Sequence, residues 1–91
     1  CFDVTQAFAD ACPAAVHVDG TARPQLVSAE SNPSLHAALT AFGEETGTPV
    51  LINTSFNMHE EPLVRTPTDA IRAWKASGID ALWLGDYLLK Q

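Results

Sequence analysis

Basic residues are scarce in this sequence. Its 91 residues include five Lys or Arg against eleven Asp or Glu, which gives a formal net charge of -6. Proteins that bind nucleic acids need clustered Lys and Arg to neutralise phosphates, and anionic membranes attract the same residues. The charge balance therefore argues against a nucleic acid or an anionic membrane as partner.

Cysteines and long apolar runs are also scarce. Cys1 and Cys12 do not have the spacing of a metal site, and a chain that is 46% hydrophobic does not depend on a disulfide staple. No run approaches the roughly 18 apolar residues of a membrane span. We expect a single domain over residues 1–91 in the cytoplasm. Because the sequence opens on Cys1 instead of Met, we also expect a piece of a longer protein.

Two helices are predicted from caps and apolar spacing. Asn32 followed by Pro33 is a helix start, and an apolar i, i+3, i+4, i+7 pattern continues toward Gly47. Thr66 followed by Pro67 starts the second helix, which Gly78 closes.

Short apolar segments predict strands at residues 14–18, 25–28, 49–52 and 79–84. The segment 49–52 is a continuous apolar run, which is expected of a strand buried on both faces. Alternating strands and helices predict an α/β fold, in which a twisted mixed sheet with parallel crossovers carries about two helices.

A cluster of small polar side chains follows the predicted strand 49–52. Ligands bind at the carboxyl ends of strands in open α/β sheets, so this position favours a binding site. Neutral hydroxyl and amide groups can donate to phosphate oxygens, and a guanidinium adds a bidentate, charge-assisted contact. The sequence therefore predicts an anion site, for which the candidate residues are Asn53, Thr54, Ser55, Asn57 and Arg23.

Each candidate also has a purely structural interpretation. Ser55 and Asn57 are residue types that build turns by bonding the local backbone, and an arginine such as Arg23 often forms a surface ion pair. His17 favours packing in or beside a strand, with a ligand contact as the alternative. Glu60 and Glu61 are interpreted mainly as solvated loop. No metal site is predicted, because the spacings of the histidines and cysteines match no ligand pattern.

Three longer segments carry motifs beyond these single residues: HVDGTARPQLV, NPSLHAALTAFGEETGTPVLINTSFN and EPLVRTPTDAIRAWKASGIDALWLGDYLL. They resemble the carbamoyltransferases grouped with nodulation protein U, in which HVDGTAR, LNTSFN and a downstream EPIV are characteristic. The resemblance covers residues 17–89 and points to the family's C-terminal portion, which looks like the YrdC domain.

This resemblance implies an O-carbamoyltransferase active in natural-product or sugar modification. Its YrdC-like domain would join carbamoyl phosphate and ATP into a carbamoyl adenylate, with Mg²⁺ arriving on the ATP. An upstream transferase domain of the same chain would pass the carbamoyl group to a hydroxyl. Thr54, Ser55 and Asn57 match the family's Thr-Ser-x-Asn signature, and Arg23 matches the arginine closing its Asp-Gly-Thr-Ala-Arg motif.

One residue departs from the family pattern. Glu60 stands where glycine usually precedes Glu-Pro, which adds a Cβ and a carboxylate to a tight turn.

Three interpretations of the chain follow: a segment of a carbamoyl-adenylate-forming domain, an anion-binding module without chemistry, or an interdomain docking module. The resemblance implies no protein nucleophile, and we expect the 91 residues alone to be inactive because the upstream residues are missing.

Overall fold

A computed structural model describes residues 1–91. It contains two compact units, which we call the first unit (Cys1–Ile52) and the second unit (Asn53–Gln91). Helices and strands occur together, so the predicted α/β content is confirmed. None of the helices combines the length and apolar character needed to cross a bilayer.

The first unit is mostly helix and loop. In chain order it contains β1 (Phe2–Asp3), α1 (Gln6–Ala11), a 3-10 turn (Pro13–Ala15), β2 (Thr21–Ala22) and α2 (Pro33–Thr46). β1 and β2 form an antiparallel pair with Asp3 opposite Thr21. This pairing holds the end of the 17–23 segment, which carries two of the candidate residues.

Helix α2 begins and ends where its sequence predicts. The Asn32 side-chain oxygen accepts the Leu35 backbone N–H at 3.2 Å, which satisfies one free donor of the first turn. Gly47 ends the helix at a φ of 78°, a left-handed conformation that costs glycine little. The first predicted helix is therefore confirmed.

The second unit is organised around α3 (Pro67–Ser77), β3 (Ala81–Leu84) and β4 (Tyr87–Lys90). Thr66 caps α3 by accepting the Asp69 backbone N–H at 3.1 Å, and Gly78 closes the helix, so the second predicted helix is confirmed. Ala70 and Trp74 of α3 pack with Leu82 of β3 in the buried core. α3 is thus the anchored helix of this unit.

A tight turn joins β3 to β4. Trp83 pairs with Leu88 across the antiparallel ladder. Gly85, the first residue of the turn, has a φ of 61°. The two-residue turns of hairpins require a positive φ at this position, which glycine adopts readily. The strand predicted at residues 79–84 is confirmed for Ala81–Leu84.

Three other predicted strands do not form. Residues 14–18 enter a 3-10 turn instead, because Pro13 starts it and the Val16 N–H donates to the Pro13 carbonyl. Residues 25–28 lead into a turn in which Ser28 and Ser31 bond each other. Residues 49–52 belong to neither sheet, and the Val50 N–H donates to the nearby Thr48 carbonyl at 2.9 Å instead of to a neighbouring strand.

The predicted parallel crossovers are also wrong. Both sheets are two-stranded and antiparallel. Leu51 and Ile52 are exposed, so the apolar run that suggested a strand buried on both faces has no sheet around it. An apolar run predicts burial, but it becomes a strand only where other segments of the sequence pair with it.

Candidate functional site

A tight turn over residues 17–21 holds the first group of polar side chains. The His17 backbone N–H donates to the Thr21 carbonyl at 2.7 Å, and Gly20 closes the turn at a φ of 80°. The Asp19 carboxylate accepts from the Thr21 hydroxyl at 2.6 Å and from the Thr21 backbone N–H at 3.1 Å. These two bonds lower the pKa of Asp19 below its usual value.

The His17 ring joins this group through Thr21. Its Nδ1 lies 3.2 Å from the Thr21 hydroxyl oxygen. Because the single hydroxyl proton of Thr21 is directed to Asp19, the oxygen accepts and His17 Nδ1 donates. His17 is exposed, so it does not pack in a core.

Arg23 follows β2 at the end of this turn and is exposed. Its guanidinium forms no ion pair, so the structure does not realise the alternative interpretation of Arg23 as a surface ion-pair partner. An exposed guanidinium with its donors free suits a planar, bidentate anion.

The second group lies in the segment 55–64, which we call the polar loop. The Asn57 side-chain amide donates to the backbone carbonyls of Met58 and Glu61, each at 3.1 Å. Carbonyl oxygens only accept, so these contacts fix which end of the amide is nitrogen. The Asn57 Oδ1 must then face Ser55, whose hydroxyl donates to it at 2.5 Å.

These bonds define what each side chain can offer a ligand. Both N–H groups of Asn57 are used by its own loop, so Asn57 builds the loop and orients Ser55. Ser55 keeps its free oxygen lone pairs, and its single proton can be donated to a phosphate oxygen only after its bond to the Asn57 Oδ1 is broken. The turn-building interpretation thus describes Asn57 well, while Ser55 remains exposed and available for contact.

Backbone bonds complete the polar loop. The Glu61 N–H donates to the Met58 carbonyl at 3.0 Å, and the Val64 N–H donates to the Phe56 carbonyl at 2.9 Å. Glu60 lies inside this turn at a φ of 64°, the only positive φ at a residue other than glycine. The tight turn expected at Glu60 is therefore present, and it places an L-residue in a left-handed conformation.

Glu61 reaches from the loop to helix α3. Its carboxylate oxygens accept from the two terminal nitrogens of Arg72, at 2.7 Å and 3.4 Å. The Arg72 hydrogen bond lowers the pKa of Glu61, and the same contact raises the pKa of Arg72. Glu61 is thus paired and not merely solvated loop, and the pair is not evident from the sequence because Arg72 lies eleven residues further along the chain, beyond a loop of irregular shape.

The candidate residues fall into two groups by unit. His17 and Arg23 belong to the first unit, whereas Asn53, Thr54, Ser55 and Asn57 belong to the second. Thr54 is exposed just before the polar loop, as is Asn53, the first residue of its unit. The structure joins Ser55 to Asn57, and it joins His17 to Asp19 through Thr21.

Comparison with protein families gives a match over the whole chain. A family model described as "Carbamoyltransferase C-terminus" matches residues 1–91.

Individual relatives agree with that match. An uncharacterised protein of Methanocaldococcus jannaschii is 46% identical over 99% of this chain and 15% of its own length. Nodulation protein NolO of Bradyrhizobium diazoefficiens is 40% identical over 97% of this chain and 16% of its own. The 3'-hydroxymethylcephem-O-carbamoyltransferase of Amycolatopsis lactamdurans is 38% identical over 80% of this chain and 14% of its own. The chain thus spans about one-sixth of these relatives.

Proposed function

Since this chain belongs to the carbamoyltransferase C-terminus family, we propose that it forms part of the ATP and carbamoyl phosphate site of an O-carbamoyltransferase. The observation that carries the proposal is the coincidence of the family match with an exposed, unpaired Arg23 and an exposed Ser55 oriented by Asn57. A relative whose name specifies transfer of a carbamoyl group to oxygen supports the same reaction class.

The proposed chemistry forms carbamoyl adenylate. Water first releases orthophosphate from carbamoyl phosphate and leaves carbamate. A carbamate oxygen then bonds to the α-phosphorus of ATP, the bond from that phosphorus to the β-phosphate oxygen breaks, and pyrophosphate leaves. An acceptor hydroxyl finally attacks the carbamoyl carbon, loses its proton and displaces AMP.

The residues of this chain would bind and orient anions in that sequence. Arg23 supplies a planar, positively charged fork for phosphate oxygens. Ser55 supplies a hydroxyl beside Asn57, and its proton turns from the Asn57 Oδ1 to a phosphate oxygen when the ligand binds. Adenylyl transfer depends mostly on positioning and charge stabilisation, so no protein nucleophile is needed. Thr54, Asn53 and His17 are further contacts in this proposal, and Mg²⁺ enters on the ATP.

The proposal places these residues in a longer cytoplasmic protein. An upstream transferase domain of the same chain would bind the hydroxyl acceptor and complete the reaction. The relatives are about six times longer than the part matched here, which leaves room for such a domain in proteins of this family.

Titration calorimetry of the full-length protein tests the binding site. Mg-ATP and then carbamoyl phosphate are titrated into wild type, Arg23→Ala and Ser55→Ala, with Lys90→Ala as an exposed control. Loss of a charge-assisted hydrogen bond is worth about 1.5 to 3 kcal/mol, so Arg23→Ala should weaken one ligand by roughly 10-fold or more. Ser55→Ala should weaken it by a few fold, and unchanged affinities in both variants would refute the site.

A non-catalytic anion-binding module is the second candidate. Glu60 favours it, because its carboxylate lies in the same polar loop as Ser55 and repels phosphates. Saturable binding of Mg-ATP without carbamoyl-phosphate-dependent release of pyrophosphate would select this module. Absence of both binding and turnover would instead select the docking interpretation, for which the exposed apolar side chains Trp83, Tyr87 and Leu88 are the supporting observation.

A further inference from the structure

One continuous network joins helix α3 to Ser55. Arg72 donates to the Glu61 carboxylate, the Glu61 carbonyl accepts from the Asn57 amide, and Asn57 accepts from Ser55. The chain of contacts passes through the side chain and the backbone of a single residue, Glu61. Every link is a hydrogen bond within the second unit.

The two ends of this network differ in how firmly they are held. Ala70, Ala73 and Trp74 of α3 are buried, so the helix carrying Arg72 is anchored in the core. The polar loop has no helix or strand of its own and is mostly exposed. Loops with few buried contacts open at low free-energy cost, whereas sites are positioned best by rigid elements. Val64 at the end of the loop packs against the core, and Arg72 is the polar side chain through which the helix can restrain the rest of the loop.

The geometry of the ion pair suits this restraint. Two terminal nitrogens of Arg72 face two oxygens of Glu61, so the contact limits rotation as well as distance. Asp69, one turn earlier on α3, adds a favourable charge interaction with Arg72. A lysine at the same position offers a point charge without the planar fork.

We propose that Arg72 is a positioning residue for the Ser55 and Asn57 pair, acting through Glu61. The inference deepens the proposed function and rests on it for the catalytic consequence alone. Arg72 does not touch the substrate; it holds the loop in the conformation that presents Ser55 before ligand arrives, which lowers the ordering cost of binding.

Hydrogen–deuterium exchange of the full-length protein tests the restraint without any substrate. The variants are Arg72→Gln, Glu61→Gln and the double variant, with Lys75→Gln on the same helix as the matched control. We expect faster exchange at the Glu61 and Val64 amides in all three network variants, because those amides close the polar loop. Lys75→Gln should exchange like wild type, since Lys75 is exposed and outside the network.

Steady-state kinetics of pyrophosphate release tests the catalytic consequence. An exposed ion pair contributes modestly because solvent screens it, so kcat/KM should fall by no more than about 5-fold in Arg72→Gln. Because both residues act in one chain of contacts, Glu61→Gln and the double variant should each lose the same fraction of kcat/KM as Arg72→Gln. Independent effects would instead multiply in the double variant. Arg72→Lys should fall between wild type and Arg72→Gln, a rescue that general destabilisation of the helix would not produce.

The two arms separate the possible failures. If the Glu61 and Val64 amides of Arg72→Gln exchange as slowly as those of wild type, the proposed role of Arg72 is wrong, whatever the activity of the variant. Additive kinetic losses in the double variant would overturn it as well. If wild type releases no pyrophosphate, the proposed function fails, and accelerated loop exchange alone then supports the restraint by Arg72.

Discussion

At the scale of single residues, the backbone at Glu60 is the least expected feature. An L-residue in the left-handed region costs about 1 to 2 kcal/mol, because Cβ approaches a neighbouring carbonyl oxygen. Glu60 has a φ of 64° and lies in the loop that carries Ser55 and Asn57. The turn is therefore retained at this position even though the side chain disfavours it.

Replacing Glu60 by glycine should stabilise the protein. Relief of the left-handed strain exceeds the extra chain entropy of glycine, so the free energy of unfolding should rise by about 0.5 to 1 kcal/mol in urea denaturation. Glu30→Gly is the matched control, because Glu30 is an exposed turn residue without a positive φ. That control should lose stability, and an equal loss in Glu60→Gly would contradict the strain.

Glu61 gives a pH-dependent prediction at the same scale. Its folded pKa lies below the ordinary value of 4.5, chiefly because Arg72 hydrogen-bonds its charged form. A depressed carboxyl pKa stabilises the fold above the unfolded pKa, and this stabilisation is lost as the pH falls through the folded pKa. Wild type should therefore unfold at a higher urea concentration than Glu61→Gln at pH 7, and the difference should disappear in acid. A difference that persists at pH 2 would contradict this assignment.

At the scale of elements, helix α2 shows a close approach that its sequence does not reveal. A Cβ built on Gly43 would lie 2.8 Å from the Pro49 Cβ, closer than side chains normally approach. Gly43 therefore lets the segment after α2 fold back against the helix. The i, i+4 pattern predicts the helix but does not show what its small residue faces.

Gly43→Ala should destabilise the protein despite the better helix propensity of alanine. Alanine gains about 1 kcal/mol in a helix interior, while overpacking costs about 1 to 3 kcal/mol. We expect a net loss of roughly 1 kcal/mol in urea denaturation followed by circular dichroism. Glu44→Ala, at the neighbouring exposed position, should stay within about 0.5 kcal/mol of wild type. A stabilised Gly43→Ala variant would contradict the contact.

The elements also show what the sequence could predict. The ends of α2 and α3 are predicted correctly from Asn32, Thr66 and the two closing glycines, because caps act through neighbours three or four residues away. Strand pairing depends on distant partners, so the strand that the apolar run 49–52 predicts does not form. The Glu61 and Arg72 pair cannot be predicted from the sequence either, because its partners are distant along the chain. The bond from Ser55 to Asn57 is local and follows from residue type.

At the scale of the whole molecule, the core is small. The buried hydrophobic residues are Ala70, Ala73, Trp74 and Leu82, all in the second unit. The Trp74 indole N–H is buried without a hydrogen-bond partner, which reduces the net gain from burying the ring. This unit therefore depends strongly on one side chain.

Trp74→Ala should remove about 3 to 5 kcal/mol of stability, the usual cost of truncating a buried aromatic residue. Trp83→Ala is the control, because Trp83 is 55% exposed. It should lose only about 1 kcal/mol, mainly the bond from its indole N–H to the Gly85 carbonyl. Urea unfolding followed by circular dichroism measures both, and equal losses would contradict the assigned core.

Pyrophosphate release from ATP by the full-length protein is the first measurement to make, because the proposed carbamoyl transfer requires it. We predict release that requires carbamoyl phosphate, with one orthophosphate for each pyrophosphate. The rate should fall by roughly 10-fold or more in Arg23→Ala and by a few fold in Ser55→Ala. Arg65→Ala, a change at an exposed arginine that is not among the candidate residues, should match wild type. A folded wild-type protein that releases no pyrophosphate, or Arg23 and Ser55 variants that match it, would contradict the claim.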